Sequence, residues 1–183
     1  MNNVTKNEFR QNSLKILKKQ RKFGRLKKDK FIIEKIYKII KKEQVKNILL
    51  YIPLSMEVDM LYLINKLRRE RKYNIFVPFM VGKSLKIVPY RLPLQKKQYG
   101  ILEPKNSNMI TSNIDLAVVP IVATDKTKRR IGFGVGFYDR YFDSLKYKPI
   151  TIFTQRVLCQ IDSVLTEPHD IKGDYIVTHK GII

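Results

Sequence analysis

The stretch NILLYIPLSMEVDMLYLINKLRRERKYNIFVP, Asn47–Pro78, decides the fold class. It opens on a short apolar run, Asn47 to Pro53, of strand length and closed by proline. A strand buried on both faces in a parallel sheet reads this way. From about Glu57 to Arg71 the period changes, with Val58, Leu61, Ile64 and Leu67 on one helical stripe. Tyr73 to Pro78 is again a buried strand. The order strand, helix, strand argues for a parallel βαβ unit.

The same pattern extends outward on both sides. Upstream, residues 4–22 read as a helix capped by Thr5, with Glu8 three residues later and Phe9, Leu14, Ile16 and Leu17 as its apolar contacts. Gly24 ends it. Residues 29–44 form a second helix, for which Asp29 is the expected N-cap and Ile32, Ile33, Ile36, Ile39 and Ile40 the buried stripe. Downstream, Ser84–Tyr90 can form a strand, and Gly100 and Pro104 mark turns. Buried strands are expected within Ile114–Ala123, at Pro149–Thr154 and at Asp174–Thr178. There is no internal repeat, low-complexity tract or linker. One α/β domain with a mainly parallel sheet is the economical reading.

Composition narrows the classes. The chain has 183 residues, 44% hydrophobic and 29% charged, which fits a globular domain rather than a disordered one. No apolar run approaches the ~18–20 residues of a membrane span. The N-terminus carries no signal-peptide run, so a cytoplasmic protein without a membrane partner is expected. The single cysteine, Cys159, excludes an internal disulfide and is expected to be a buried, inert thiol. The formal charge is +21. Residues 1–46 hold 16 of the 37 lysines and arginines against four acids, which leaves 21 against 12 in the rest. Such a balance favours anionic partners. Solvated helix faces explain it equally well, because the lysines are dispersed among apolar helix positions.

A second stretch carries the chemistry: RRIGFGVGFYDRYF, Arg129–Phe142. Three of the chain's 8 glycines, Gly132, Gly134 and Gly136, fall within five residues. They follow a buried strand and precede a helix-compatible segment. Glycines there let backbone N–H groups approach a ligand, and a helix start adds positive potential. Arg129, Arg130 and Arg140 suit a phosphate chain. Asp139 offers the hard oxygen that Mg²⁺ prefers beside phosphates. Phe133, Phe137 and Tyr138 could wall a flat ring. A glycine-rich hairpin with aromatic packing remains the alternative. The order is neither a Walker loop nor the usual dinucleotide fingerprint.

Residues 130–141, Arg-Ile-Gly-Phe-Gly-Val-Gly-Phe-Tyr-Asp-Arg-Tyr, resemble the signature of the 5-formyltetrahydrofolate cyclo-ligase family, also called 5,10-methenyltetrahydrofolate synthetase. That signature is Arg-Leu-Gly-Tyr-Gly-x-Gly-Tyr-Tyr-Asp-Arg-Tyr. Further segments agree across nearly the whole chain: Lys6-Asn7-Glu8-Phe9-Arg10, Glu57-Val58-Asp59, Gly100-Ile101-Leu102-Glu103-Pro104, Val119-Pro120 with Asp125, Gln155, Pro168-His169-Asp170 and Thr178. Two positions depart. Lys128 stands where the family usually has glycine, which could alter a turn. Val135 stands where many members have a fourth glycine, and its side chain is expected to point away from ligand.

The resemblance implies a single three-layer α/β/α domain, residues 1–183, with a mainly parallel, Rossmann-like central sheet. It implies the Mg²⁺-dependent conversion of 5-formyltetrahydrofolate and ATP into 5,10-methenyltetrahydrofolate, ADP and phosphate, through a phosphorylated formyl group. It assigns ATP to Lys6, Arg10 and the run Arg130, Ile131, Gly132, Phe133, Gly134, Val135, Gly136, Phe137 and Tyr138. Arg130 and Arg140 would stabilise the reaction's charge. Folate would meet Ile52, Glu57 and the shared segment Phe133, Gly134, Val135, Gly136 and Phe137, with Tyr51 beside it. Asp139 and Asp170 would hold Mg²⁺. His169 is read as a supporting residue rather than a general base, because the chemistry needs little proton transfer before ring closure. The basic surface would suit a polyglutamylated folate. A monomer or weak dimer is expected. Two competing readings stay open: a basic nucleic-acid-binding protein, and another ATP- or sugar-phosphate-utilising α/β enzyme. The first lacks any RNA-binding signature or zinc spacing.

Overall fold

The buried strands expected from the sequence lie side by side in one sheet. The structure is a computed structural model and describes residues 4–20, 24–82, 84–97, 100–106 and 113–183. In chain order its elements are α1 Lys6–Gln20, α2 Arg25–Lys42, β1 Asn47–Leu49, α3 Leu61–Glu70, β2 Asn74–Val81, β3 Ser84–Pro89, β4 Gln95–Lys96 and β5 Leu102–Glu103. There follow β6 Leu116–Pro120, β7 Ala123–Asp125, β8 Arg130–Ile131, α4 Phe137–Asp143, β9 Ile150–Thr154, β10 Gln160–Ile161, β11 Tyr175–Thr178 and β12 Gly181–Ile182.

The main sheet has the order β12-β11-β9-β6-β1-β2-β3. Its five inner strands are parallel, and both edges, β3 and β12, are antiparallel. Successive residues of the inner strands alternate between two cores. Ile48, Leu116, Val118, Ile152 and Val177 meet the isoleucine stripe of α2 and Leu63, Ile64 and Leu67 of α3. Leu49, Ala117, Val119, Phe153 and Ile176 face the other way, onto Tyr141 of α4 and Ile171. The result is the expected α/β/α layering, with α4, seven residues long, the thinner cover.

The chain leaves β1 toward β2 on one side and leaves β6 toward β9 and β11 on the other. The crevice beyond the carboxyl ends of β1 and β6 is therefore a switch point of the kind where α/β sheets bind ligands. A small sheet, β10-β7-β8, stands at this end and carries α1 against it through Leu17, Val122, Ala123, Ile131 and Cys159. Cys159 is free and buried, as expected, and burial pushes its thiol up.

Three local expectations are corrected. Asp29 does not cap the second helix, which begins at Arg25 after Gly24 in the left-handed conformation (φ 63°). Asp29 lies inside the helix, buried, against Arg156. The third helix begins at Leu61 rather than near Glu57, so residues 54–60 form an irregular loop. The first helix starts at Lys6, and its expected end at residues 21–22 lies outside the described residues. The expected cap does form. The Glu8 N–H donates to Thr5 Oγ1 at 3.2 Å, and the Thr5 N–H donates to Glu8 Oε2 at 2.8 Å.

Candidate functional site

Two hollows open at the carboxyl end of the sheet, and the glycine stretch stands between them. Gly132, Gly134 and Gly136 line a polar cleft of about 260 Å³ together with Lys6, Arg10, Asp139, Arg140, Asp143, His169 and Asp170. Phe133, Val135 and Phe137 line an apolar cavity of about 290 Å³. Gly136 borders both. The alternation of glycine with a bulky residue thus becomes a wall with one bare face and one greasy face.

The bare face is shaped by arginines. A Cβ at Gly132 would overlap the Arg130 guanidinium, and one at Gly136 would come within 2.9 Å of Arg140 Nη1. Gly134 and Gly136 have φ of 104° and 73°, a region that glycine enters without strain. Arg10, from α1, donates from Nε to the Gly132 carbonyl at 2.9 Å. Lys6, one helical turn earlier, bonds Asp170 Oδ2 at 2.5 Å. The four-residue spacing therefore does bring both cations to one cleft. Arg140, exposed, donates from Nη2 to the Val135 carbonyl at 2.8 Å and lies over the Phe137 ring.

The two aspartates expected to hold a metal come together from different elements. Asp139, on α4, pairs through Oδ2 with Arg130 Nη1 at 3.0 Å, not with Arg140. Its Oδ1 faces the N–H of Ile171 at 3.5 Å, beside Asp170. Asp170 is buried and also accepts the Glu167 N–H at 2.7 Å. Among the described residues no group of three or more His, Cys, Asp or Glu forms a protein-only metal cage. Hard carboxylates such as Asp139 and Asp170, in a cleft that Lys6, Arg10 and Arg140 also line, fit Mg²⁺, which keeps waters and shares phosphate oxygens. His169 lines the cleft, exposed, with Nδ1 3.3 Å from Glu167.

Arg130 is buried and belongs to the apolar side. Its Nε donates to the Pro120 carbonyl at 3.1 Å, and its guanidinium lies 5.1 Å from the Tyr138 ring centroid. Ile131 is fully buried in β8 and lines neither hollow. Val135, expected to point away from ligand, lines the apolar cavity and is 45% exposed. Lys128 adopts φ 58°, the left-handed conformation that glycine would take without strain, so the turn survives the departure.

The apolar cavity is floored by Tyr51 and Ile52 after β1, Pro120 at the end of β6, and Pro78, Met80 and Leu85 from the β2–β3 hairpin. Glu57 enters it from the 54–60 loop and accepts the Leu54 N–H at 2.7 Å. Since α3 starts four residues later, Glu57 is not a helix-terminal acid. Burial pushes its carboxyl up to about 7, against the Leu54 hydrogen bond and the positive charges of Arg130 and Arg156. Such a group changes charge near neutrality. Tyr51 and Tyr138 are pushed up by burial and stay protonated. The Tyr51 hydroxyl bonds the Val58 carbonyl at 3.1 Å and Thr154 at 2.9 Å.

Glu103, in β5, is a cavity residue absent from the expected site. It is buried and accepts the Met80 N–H at 2.9 Å. The Gly-Ile-x-Glu-Pro segment was the only signal for it. Asp125, downstream of the Val-Pro strand end, serves the frame instead. Burial would push it up, but hydrogen bonds from Thr127, Thr166 and Leu165 hold it well below the usual carboxylate range.

The chain is similar to known proteins in sequence and in fold. A model of the 5-formyltetrahydrofolate cyclo-ligase family matches residues 2–179. A 5-formyltetrahydrofolate cyclo-ligase of Haemophilus influenzae is 32% identical over 143 residues, 73% of this chain and 75% of that protein. The NMR structure of Aquifex aeolicus 5,10-methenyltetrahydrofolate synthetase superposes with a TM-score of 0.78 at 23% identity, covering 98% of this chain and 92% of that one. The corresponding synthetase of Mycoplasma pneumoniae gives a TM-score of 0.70 at 23% identity, over 95% and 98% of the two chains.

Proposed function

The chain belongs to the 5-formyltetrahydrofolate cyclo-ligase family, and from that membership we propose that it closes 5-formyltetrahydrofolate to 5,10-methenyltetrahydrofolate at the expense of ATP. The observation that carries the reading is the two-faced wall 132–137, with a polar cleft lined by Lys6, Arg10 and Arg140 and by aspartates on one side and an apolar, carboxylate-bearing cavity on the other. ATP phosphates occupy the cleft, held by Lys6, Arg10 and Arg140 and by the bare glycine backbone. Asp139 and Asp170 hold Mg²⁺, which offsets phosphate charge when bound. The pterin enters the cavity, where the Glu57 carboxylate accepts the paired N–H donors of its amino-pyrimidinone edge. Ile52, Phe133, Val135 and Phe137 cover its faces.

The formyl oxygen attacks the γ-phosphorus and ADP leaves, giving an N5-iminium phosphate. N10 then attacks the formyl carbon and loses its proton, and the former formyl oxygen departs within inorganic phosphate. No protein nucleophile is needed. The chain positions two substrates across a thin wall and stabilises charge with Arg130 and Arg140. Residues 1–183 act as one catalytic domain of a cytoplasmic enzyme. Among the described residues no helix is long and apolar enough to cross a membrane.

Mixing the protein with 5-formyltetrahydrofolate and Mg-ATP tests this directly. Growth of the methenyl product's near-UV absorbance is expected; folded protein that yields none removes the proposal. The net charge of +21 suits a polyglutamylated substrate. Its affinity should fall with added salt more steeply than that of the monoglutamate, and equal salt slopes would remove that refinement.

A further inference from the structure

Two buried charges have no part in the chemistry above. Asp29 of α2 is 3% exposed and Arg156, two residues past β9, is 2% exposed. They pair side by side: Arg156 Nε to Asp29 Oδ1 at 2.6 Å, and Nη2 to Oδ2 at 2.9 Å. The remaining donors reach one target. Arg156 Nη1 donates to the Met56 carbonyl at 3.0 Å, and Nη2 also donates to the Glu57 carbonyl. Asp29 Oδ2 accepts the Asp59 N–H at 3.2 Å. Both partners therefore grip the 54–60 loop on either side of Glu57.

Stability alone does not account for such a pair. Apolar residues of similar volume commonly stabilise a core as well as a buried ion pair does. An apolar pair could not satisfy two carbonyls and an N–H of a loop that has no ladder or helix to pair with. We propose that the Asp29–Arg156 pair is a positioning device for Glu57, fixing the main chain at 56–59 so that the Glu57 carboxyl enters the apolar cavity at the angle the pterin requires. The inference rests on the reading of that cavity as the folate site.

The pair also acts through charge. Glu57 is faced by Arg130 from β8, Arg156 after β9, Tyr51 after β1 and Tyr138 on α4, while Asp29 on α2 acts on Tyr51. The two arginines favour its ionised form, while burial opposes it. Removing the Arg156 charge should therefore raise the pH at which Glu57 titrates. Replacing Arg156 by lysine keeps a charge but loses the fork that spans Asp29 and two carbonyls.

The test compares three full-length proteins: wild type, Arg156→Lys, and the double variant Asp29→Asn/Arg156→Gln, which leaves no single buried charge. Glu57 is followed by carboxyl ¹³C NMR without ligand, its resonance assigned by its loss in Glu57→Gln. Calorimetry then gives the affinities for 5-formyltetrahydrofolate and for a non-hydrolysable ATP analogue. In the double variant Glu57 should titrate at higher pH, and folate affinity should fall about tenfold or more with nucleotide affinity unchanged. Arg156→Lys should weaken folate binding with little change in the titration. A folded double variant with wild-type titration and wild-type folate affinity overturns the proposal. Should that variant fail to melt cooperatively, unchanged folate affinity in Arg156→Lys overturns it instead. A wild-type protein that binds no folate at all defeats the reading of the cavity, and the ligand-free titration still decides whether Arg156 governs Glu57.

Discussion

Gly132 places two cations at once. Its carbonyl accepts Arg10 from α1, and its missing Cβ leaves room for the Arg130 guanidinium that reaches Asp139. Gly132→Ala should push Arg130 off Asp139. Overpacking of this kind costs about 1–3 kcal/mol of stability. Turnover should fall more than stability explains, by roughly 100-fold, because Asp139, the carboxylate proposed to hold Mg²⁺, loses its orientation. Steady-state rates beside urea melts separate the two effects; an alanine variant with wild-type turnover would show that the Arg130–Asp139 contact is dispensable. Clustered glycines and flanking arginines were visible in the sequence. Which side each residue faces was not, because alternation in a loop has no fixed period. Val135 therefore looked like a position turned away from ligand and proves to be part of the cavity wall.

Helix α1 forms one arm of the cleft. It rests on the small sheet rather than on the main one and brings Lys6 and Arg10 to the glycines. Its cap is one reciprocal pair, Thr5 with Glu8. Thr5→Ala should cost about 1 kcal/mol of helix stability, or about fivefold in nucleotide affinity where Lys6 must be ordered. Folate affinity should not change. Calorimetry with each ligand checks this, and an equal loss for both would place α1 in the folate site as well. The long apolar strands were legible because burial on both faces leaves a continuous run. The two- and three-residue strands β7, β8 and β10 were not, since they are too short to show a period. Asp29 was misread for a related reason. An aspartate ahead of an apolar stripe looks like a cap, while its partner Arg156 lies 127 residues away.

At the scale of the whole molecule, 16 acids face 37 lysines and arginines, so only part of the surface charge is balanced by local pairs. Lys41 pairs with Glu70 at 2.7 Å, and Lys66 lies 3.6 Å from Glu34 and 3.6 Å from the Tyr37 ring centroid. Exposed pairs of this kind contribute little to stability. Glu57 matters more for the pH profile. Its carboxyl is raised from 4.5 to about 7 in the folded chain, so the native state holds a proton that the unfolded chain has released. Stability should therefore fall as pH rises from 4.5 to 7, by at most about 3 kcal/mol, and level off above. The lowered carboxyls of Asp125 and Glu70 act in the opposite sense, but below pH 4.5. Urea melts across this range check it: Glu57→Gln should flatten the slope, and an unchanged slope would mean that Glu57 titrates normally.

The partition by the 132–137 wall can be read in one experiment, amide shift mapping of the protein with each ligand added separately. A non-hydrolysable ATP analogue with Mg²⁺ should move Lys6, Arg10, Gly134 and Asp170. 5-Formyltetrahydrofolate should move Ile52, Glu57, Met80 and Glu103, and both ligands should move Gly136. Nucleotide shifts at the cavity residues, with Lys6, Arg10 and Asp170 undisturbed, would contradict the wall as the divider between the two substrates.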